Sequence, residues 1–253
     1  MKTLLKKTAE RLGGHLFSRE SLPTGVYWLQ DIERGMALGP APVCFDVGAN
    51  VGQTVAELRD AFPDASIHAF EPFQTALAGL RRAVSADNRT TVVPRAMGAT
   101  PGRMNVRPNP VSLLSSLAHH VEHPAEHDTE CLEVDTIDRY CTQQAIECID
   151  ILKSDTEGYD LEVLRGASEL LSSQRIAYVY VEVTFLPANR QNSLFGPIFN
   201  LLEAHGYRFL GLYETFPLHF YDEPVVFCNA LFVASSAHER SLARRRAAAV
   251  AKA

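Results

Sequence analysis

The sequence lacks the features that mark several protein classes. Its 253 residues contain five cysteines, an odd number without a Cys-x-x-Cys pair, so neither a disulfide framework nor a zinc knuckle is indicated. No run approaches the roughly 20 apolar residues that a membrane helix needs. The start, MKTLLKKTAERLGGHLF, has no apolar stretch of signal-peptide length. We therefore expect a soluble cytoplasmic protein that has no membrane partner.

Positive charge is also scarce. The formal net charge is -6 at pH 7, whereas a nucleic-acid-binding protein usually carries a basic balance or a basic stripe. Basic residues cluster only near the two ends, at Lys2, Lys6 and Lys7 and at Arg244, Arg245 and Arg246. The second cluster lies in an Ala-rich segment that predicts a solvated terminal helix or a frayed tail. No nucleic-acid partner is expected.

The composition and length fit one large globular domain. The chain is 46% hydrophobic and 21% charged, so a sizeable core can form without disulfides or a structural metal. We predict an N-terminal helical extension over residues 1–40, one catalytic domain over 41–235 and a basic Ala-rich tail over 236–253. A homodimer is compatible with this organisation, but no pattern specifies the oligomeric state.

Short apolar runs alternate with amphipathic segments throughout the predicted domain. The runs predict strands at residues 43–47, 66–70, 91–96, 149–154 and 177–183, and helices at 54–62 and 73–84 follow the first two. Such alternation specifies an α/β fold with a mostly parallel sheet and helices on both faces. Two late runs, 207–212 and 225–233, predict an antiparallel pair at one edge.

The stretch between the third and fourth predicted strands is irregular. Residues 102–108 predict an extra strand, and residues 109–129 form a polar loop rich in Ser and His. Because loops of this length inside a compact domain are usually functional or disordered, we interpret this one as a substrate-side flap.

The most informative segment is FDVGANVGQT, residues 45–54. A buried strand ends in an acid, Asp46, and a Gly-x-Asn-x-Gly loop then leads into a helix. Gly48 and Gly52 allow a tight turn and close approach of a ligand, and Asn50 tolerates left-handed backbone angles. Thr54 is expected to cap the helix, whose first N–H groups attract a carboxylate or phosphate.

A second acid, Glu71, ends the next strand and precedes Pro72. An acid at this distance beyond a glycine loop is placed to accept hydrogen bonds from ribose hydroxyls. The dinucleotide fingerprint Gly-x-Gly-x-x-Gly is absent, because Asn50 and Gln53 occupy its second and third glycine positions. Asp46 would repel a pyrophosphate, but it suits the ammonium and sulfonium charges of S-adenosylmethionine. The loop therefore favours S-adenosylmethionine over NAD, although an NAD-linked oxidoreductase remains the alternative.

Further segments extend this pattern along the chain. They are AFEP (69–72), RAMGATPGRM (95–104), DTIDRY (135–140), IDILKSDTEGYDLEVLRGA (149–167), YVYVEV (178–183) and GYRFLGLY (206–213). In them, and in the glycine loop, the chain resembles the FkbM family of methyltransferases over residues 40–235. The resemblance implies a seven-stranded Rossmann-like sheet whose last strand is antiparallel. It also implies methyl transfer to a hydroxyl oxygen of a sugar, a polyketide or a similar small molecule, with adenine packing near Ala96 and Met97.

The chain departs from the family pattern in two places. Family members often read Lys-Ile-Asp-Val-Glu-Gly where this chain has Lys-Ser-Asp-Thr-Glu-Gly, residues 153–158, so this strand end is more polar than usual. A histidine cluster in the predicted flap matches no family feature: His119, His120, His123 and His127. Its i, i+4 spacing would suit a metal pair on a helix, but Pro124 interrupts any such helix.

Charged residues near the ends of the fourth and fifth strands are the catalytic candidates. Removing the proton of an alcohol requires a base or a metal. Asp155 or Glu157 could act as the base or hold Mg²⁺. The alternatives make Asp155 a donor contact and Glu157 a helix cap. Glu182, among valines, is costly to bury unless paired, so it is either the base or a structural partner of Lys153. A third reading of the whole chain is a donor-binding protein without turnover.

Overall fold

The computed structural model of the protein describes residues 22–35, 37–106, 130–189, 191–215 and 226–250. In chain order, the helices and strands of these residues are α1 (Trp28–Gly35), β1 (Val43–Val47), α2 (Gln53–Ala61), β2 (Ser66–Phe70), α3 (Gln74–Ala83), β3 (Thr90–Val93), β4 (Ala96–Met97), β5 (Gly102–Val106), β6 (Glu130–Asp135), α4 (Ile137–Gln144), β7 (Ile149–Ser154), α5 (Asp160–Arg165), α6 (Ser168–Ser172), β8 (Ile176–Val183), α7 (Phe195–Ala204), β9 (Tyr207–Tyr213), β10 (Cys228–Ala234) and α8 (Ser235–Val250).

Seven strands form one sheet in the order β3-β2-β1-β7-β8-β10-β9. The pairs from β3 to β8 are parallel, and β10 runs antiparallel to both β8 and β9. This arrangement confirms the predicted Rossmann-like methyltransferase sheet with an antiparallel last strand. The chain reverses direction across the sheet between β1 and β7, which is where open α/β sheets bind ligands.

The central strands are buried on both faces, as parallel strands covered by helices must be. All eight residues of β8 are buried, and so are four of the five in β1. Such strands are normally apolar throughout. Asp46, Lys153 and Glu182 are therefore exceptions that need partners, because an unpaired buried charge is costly.

The predicted third strand, residues 91–96, is wrong in extent. The strand ends at Val93, and Ala96–Met97 belongs to a second, three-stranded sheet in the order β4-β6-β5. Pro94 separates the two, because proline has no N–H to continue a ladder. The extra strand predicted at 102–108 is confirmed as β5, whereas β6 was not predicted. The predicted flap, with His119, His120, His123 and His127, lies outside the described residues.

Helices from both ends of the chain pack against the main sheet or against each other. Trp28, Leu29 and Ile32 of α1 are buried in the core, and the Trp28 ring stacks on Tyr180 with centroids 4.0 Å apart. The hydroxyl of Ser241 in α8 donates a hydrogen bond to the carbonyl of Gly35. The Ala-rich segment thus forms the predicted helix. Among the described residues, no helix has the length and apolarity to span a membrane.

Candidate active site

A cleft with a cavity volume of about 220 Å³ opens at the carboxyl ends of β1, β2 and β7. The loops after these strands and the short strand β4 provide its walls. Ten of the predicted site residues line it: Gly48, Asn50, Gln53, Glu71, Pro72, Ala96, Met97, Lys153, Asp155 and Glu157. Asp46, Gly52 and Glu182 are not among the lining residues.

Gly48 has a structural reason to be glycine. Its φ is +81°, and a Cβ there would lie 1.9 Å from the carbonyl oxygen of Asp155. The sequence suggested that the absence of a side chain at Gly48 makes space for a ligand. In the structure, the backbone that follows β7 occupies this space. Gly48 and Ala49 both donate their N–H groups to the carbonyl of Phe70, at 3.0 Å each. The glycine loop is therefore fixed between the ends of β2 and β7.

The helix after this loop begins without a side-chain cap. Gly52 is the N-cap residue of α2, with φ at +97°, and Thr54 lies inside the helix. The prediction that Thr54 caps the helix is therefore wrong. A Cβ on Gly52 would lie 3.2 Å from Cδ1 of Leu80, so this glycine serves packing against α3. Thr54 instead lines the cleft.

Asn50 and Glu71 lie together in one wall of the cleft. Asn50 has the expected left-handed backbone, with φ at +48°, and its N–H donates to Oε2 of Glu71 at 2.9 Å. Oε1 of Glu71 accepts from the N–H of Phe73 at 2.8 Å. Burial raises the pKa of Glu71 to about 6, although both hydrogen bonds favour its ionised form. The side-chain oxygen of Asn50 is buried and has no hydrogen-bond partner among the described residues.

Lys153 connects two of the predicted site acids. Its Nζ lies 3.1 Å from Oδ1 of Asp46, which is fully buried, and 3.4 Å from Oδ2 of Asp155. It also donates to the carbonyl of Gly48 at 3.5 Å. Burial alone would lower the pKa of Lys153, but the charges of Asp46 and Asp155 outweigh it and hold the pKa above its usual value. Asp46 therefore faces Lys153 beneath the cleft instead of lining it.

The alternative prediction that Glu182 is a structural partner of Lys153 is wrong. In the described part of the chain, Lys153 has no ion pair with Glu182. The Glu182 carboxylate instead accepts a hydrogen bond from the side-chain amide of Asn192, which in turn accepts one from Asn189 at 2.7 Å. Burial, followed by the charges of neighbouring acids, raises the pKa of Glu182 to about 9. Glu182 is thus held near the site by the loop that follows β8.

Asp160 organises the end of β7, and sequence reasoning missed it. Its fully buried carboxylate accepts from the hydroxyl of Ser154 at 2.7 Å and from that of Thr156 at 2.9 Å. It also accepts from the N–H of Thr156 at 3.0 Å and the hydroxyl of Ser193 at 3.1 Å. The polar departures from the family pattern at Ser154 and Thr156 are explained by this network. Ser154 and Thr156 could have indicated the role of Asp160 from the sequence, because buried hydroxyls at the end of an apolar strand need a hydrogen-bond acceptor.

Arg95 lies in the cleft wall, and the sequence did not single it out. Its guanidinium lies 3.2 Å from Asp135 and 3.4 Å from Glu133, both on β6. Since β6 was not predicted, the sequence did not indicate that Arg95 pairs with these two acids.

Glu157 lines the cleft in a left-handed backbone conformation, with φ at +52°, and Gly158 follows at +95°. The N-cap residue of α5 is Tyr159, and no side chain caps that helix. The alternative reading of Glu157 as a helix cap is therefore wrong. Burial, then the charges of Asp155 and Asp160, raise the pKa of Glu157 to about 8.

Comparison with known proteins identifies the family. The family model "Methyltransferase FkbM domain" matches residues 46–209, more than half of the chain. The chain belongs to the FkbM methyltransferase family. It is 25% identical, over 152 residues, to the 2-O-methyltransferase NoeI of Sinorhizobium fredii (strain NBRC 101917 / NGR234), a match that covers 55% of this chain and 63% of that protein. The chain thus spans less than two thirds of the length of this relative.

A solved FkbM methyltransferase supports the fold. The crystal structure from Methylobacillus flagellatus KT aligns with a TM-score of 0.52 and 19% identity, covering 78% of this chain and 44% of that one. Family membership favours the methyltransferase reading over the NAD-linked oxidoreductase. It also implies S-adenosylmethionine as the donor, and the FkbM cleft fits this molecule. The unpartnered oxygen of Asn50 and the carboxylate of Glu71 offer acceptors beside a glycine loop.

The FkbM cleft fits Mg²⁺ less well. Within the described ranges, no group of three His, Cys, Asp or Glu side chains could share a metal ion. Asp155, one of the two predicted candidates, already faces the ammonium of Lys153 at 3.4 Å. A cation bound to Asp155 would have to share its carboxylate with that charge.

Proposed function

We propose that this FkbM protein transfers a methyl group from S-adenosylmethionine to a hydroxyl oxygen of a small molecule, such as a sugar or a polyketide. The observation that carries the proposal is the cleft at the switch point, which combines the glycine loop, Glu71 and the carboxylates after β7. The 2-O-methyltransferase name of its relative supports oxygen as the acceptor atom.

The donor would be held by the residues around the glycine loop. Glu71 accepts hydrogen bonds from the ribose hydroxyls, the amides of Asn50 and Gln53 bind polar groups, and the buried pair Ala96 and Met97 packs against adenine. Pro72 and Gly48 complete the wall. When bound, S-adenosylmethionine supplies a methyl group on a positively charged sulfur, which the carboxylates beside Lys153 favour electrostatically.

The acceptor side needs a group that removes the hydroxyl proton, since a neutral alcohol is a poor nucleophile. The sequence predicts Asp155, Glu157 and Glu182 as candidates for this group. Lys153 holds Asp155 in place through their ion pair. We include no step through Mg²⁺, because the described donor set does not fit it. Activity should therefore survive a chelator.

The proposal is tested in two stages. Calorimetry should show S-adenosylhomocysteine binding in the low micromolar range or tighter, about -7 to -9 kcal/mol, and no comparable binding of NAD. Turnover is then measured with radiolabelled S-adenosylmethionine on methyl glycosides and other small hydroxylated acceptors. Binding without any turnover would support the donor-binding protein instead, and preference for NAD would overturn the proposal.

Other expectations stay predictions at this stage. We expect neither a nucleic-acid partner nor a membrane partner for the acceptor side. A cytoplasmic location and a homodimer are compatible with the proposal but are not needed for it.

A further inference from the structure

We propose that Glu157 is the catalytic base that takes the proton from the acceptor hydroxyl. This assignment rests on the proposed methyltransferase function and goes beyond it, because it selects one residue among several acids. The sequence left Asp155, Glu157 and Glu182 open as candidate bases.

The first argument is the contacts of the acids at the ends of β7 and β8. Asp155 is paired with Lys153, Asp160 accepts four hydrogen bonds, and Glu182 is hydrogen-bonded to Asn192. Among the described residues, Glu157 is the one of the four whose carboxylate has neither a hydrogen bond nor an ion pair. A carboxylate has about four acceptor sites. Within the described residues all those of Glu157 are open to an acceptor hydroxyl, whereas each of the other three acids uses at least one site to hold a neighbouring group.

The second argument is position. Glu157 lines the cleft and is partly buried, whereas Glu182 is not among the lining residues. Glu157 also follows the strand next to the glycine loop, so that an acceptor touching it would lie beside the donor. A general base must first be within reach of its proton, and its pKa matters second.

The third argument is the turn that presents Glu157. A left-handed conformation is disfavoured for a residue other than glycine, and such strain persists where the surrounding structure enforces it. Here the enforcing group is Asp160, which binds both the N–H and the hydroxyl of Thr156 immediately before the turn. Residues held in such a conformation cluster at active sites and ligand-binding sites. Burial and the nearby charges of Asp155 and Asp160 raise the pKa of Glu157 to about 8, which strengthens it as a base.

Glu157 receives the hydroxyl proton and becomes a neutral carboxylic acid. The electron pair of the acceptor oxygen forms the new bond to the methyl carbon, while the methyl–sulfur bond breaks and its pair stays on sulfur. The products are the methyl ether and S-adenosylhomocysteine, and Glu157 later returns its proton to solvent.

The test compares Glu157→Gln with Glu162→Gln in the full chain. Gln keeps the shape and removes the charge, and Glu162 is a nearby acid paired with Arg165 on the surface of α5. Three quantities are measured for each protein: S-adenosylhomocysteine binding by calorimetry, the midpoint of thermal unfolding at pH 8, and methyl transfer to methyl glycosides.

For Glu157→Gln we expect turnover to fall about 100-fold or more, with binding of S-adenosylhomocysteine within about twofold of wild type. The unfolding midpoint should equal or exceed that of wild type, because an unpaired charge beside other acids is removed. Glu162→Gln should match wild type in all three. Turnover of Glu157→Gln within threefold of wild type would overturn the assignment. So would weakened binding or a lower midpoint, since either indicates a structural role.

The wild-type protein separates this inference from the function on which it rests. If wild type binds S-adenosylhomocysteine but methylates no glycoside, the proposed acceptor class fails. The midpoint and binding of Glu157→Gln then still decide between a free acid and a structural one. If wild type does not bind S-adenosylhomocysteine at all, the proposed function and the assignment of Glu157 fail together.

Discussion

At the scale of single residues, the buried ammonium of Lys153 lies between the carboxylates of Asp46 and Asp155. Asp46 precedes Lys153 and Asp155 by more than about one hundred positions in the chain, yet the three meet because β1 and β7 are neighbours in register. That register cannot be read from either strand alone. Asp46 is buried beneath the cleft, and its predicted contact with the donor stays a prediction.

Replacing Lys153 by Met should destabilise the protein strongly. The change leaves the fully buried Asp46 without its counter-charge, and breaking a buried ion pair on one side typically costs about 3–5 kcal/mol. Urea unfolding measures the loss. Arg165→Met is the control, because its exposed pair with Glu162 should contribute less than about 1 kcal/mol. Equal losses in the two variants would show that Asp46 does not depend on Lys153.

Donor affinity should depend on pH through Glu71. Its pKa is raised to about 6 in the free protein, so the carboxylate is ionised at pH 7.5 and largely protonated at pH 5. A ribose hydroxyl donates better to the ionised form, and S-adenosylhomocysteine affinity should therefore fall as the pH decreases through 6. Calorimetry between pH 7.5 and pH 5 tests whether the affinity falls in this direction.

The matching variant is Glu71→Ala, which should weaken S-adenosylhomocysteine binding by about 1.5–3 kcal/mol and abolish the pH dependence below 7. It also removes the acceptor of the Asn50 and Phe73 N–H groups, so circular dichroism must confirm the fold. Binding as tight as wild type would remove Glu71 from the donor site.

At the scale of helices and strands, prediction succeeded where the periodicity was strong and local. The bounds of β1, β2 and β7 agree with the sequence, because buried runs bounded by turn residues carry a clear signal. The second sheet escaped prediction. Its β4 has two residues, and its β6 is half exposed, with an alternating pattern that is evident only beside β5.

The glycine loop provides a test of contacts between elements. The sequence indicates that Gly48 allows close approach of a ligand, but the carbonyl of Asp155 occupies the space that a Cβ needs. We expect even Gly48→Ala to lower the thermal midpoint, because β1 and the end of β7 must separate and a positive φ penalises alanine. Gly102→Ala is the control, since a Cβ there meets nothing within 4 Å. A Gly48→Ala protein as stable as the control would contradict this packing.

At the scale of the whole molecule, the segments outside the predicted catalytic domain contact it or each other. Arg244 and Arg245 of α8 donate to the carbonyls of Leu38 and Arg34 at 2.9 and 2.7 Å. Two arginines of the basic cluster that the sequence singled out therefore bind backbone carbonyls of the N-terminal segment. The predicted domain boundaries at residues 40 and 235 mark where the alternation of apolar runs and amphipathic segments begins and ends. This alternation does not indicate which segments share a hydrophobic core.

The stacking of Trp28 on Tyr180 allows the contribution of the N-terminal segment to the free energy of unfolding to be measured. Both rings are almost completely buried, and Tyr180 lies on β8, opposite Lys153 of β7 in the sheet register. Trp28→Ala should cost about 3–5 kcal/mol of unfolding free energy, as large aromatic truncations in cores do. Val26→Ala, a change at a mostly exposed side chain two residues earlier, should cost less than about 0.5 kcal/mol. Urea unfolding of both variants decides the matter. If the Trp28 variant is as stable as the Val26 variant, residues 22–40 are an appendage, and a catalytic domain beginning at residue 41 would be stable without them.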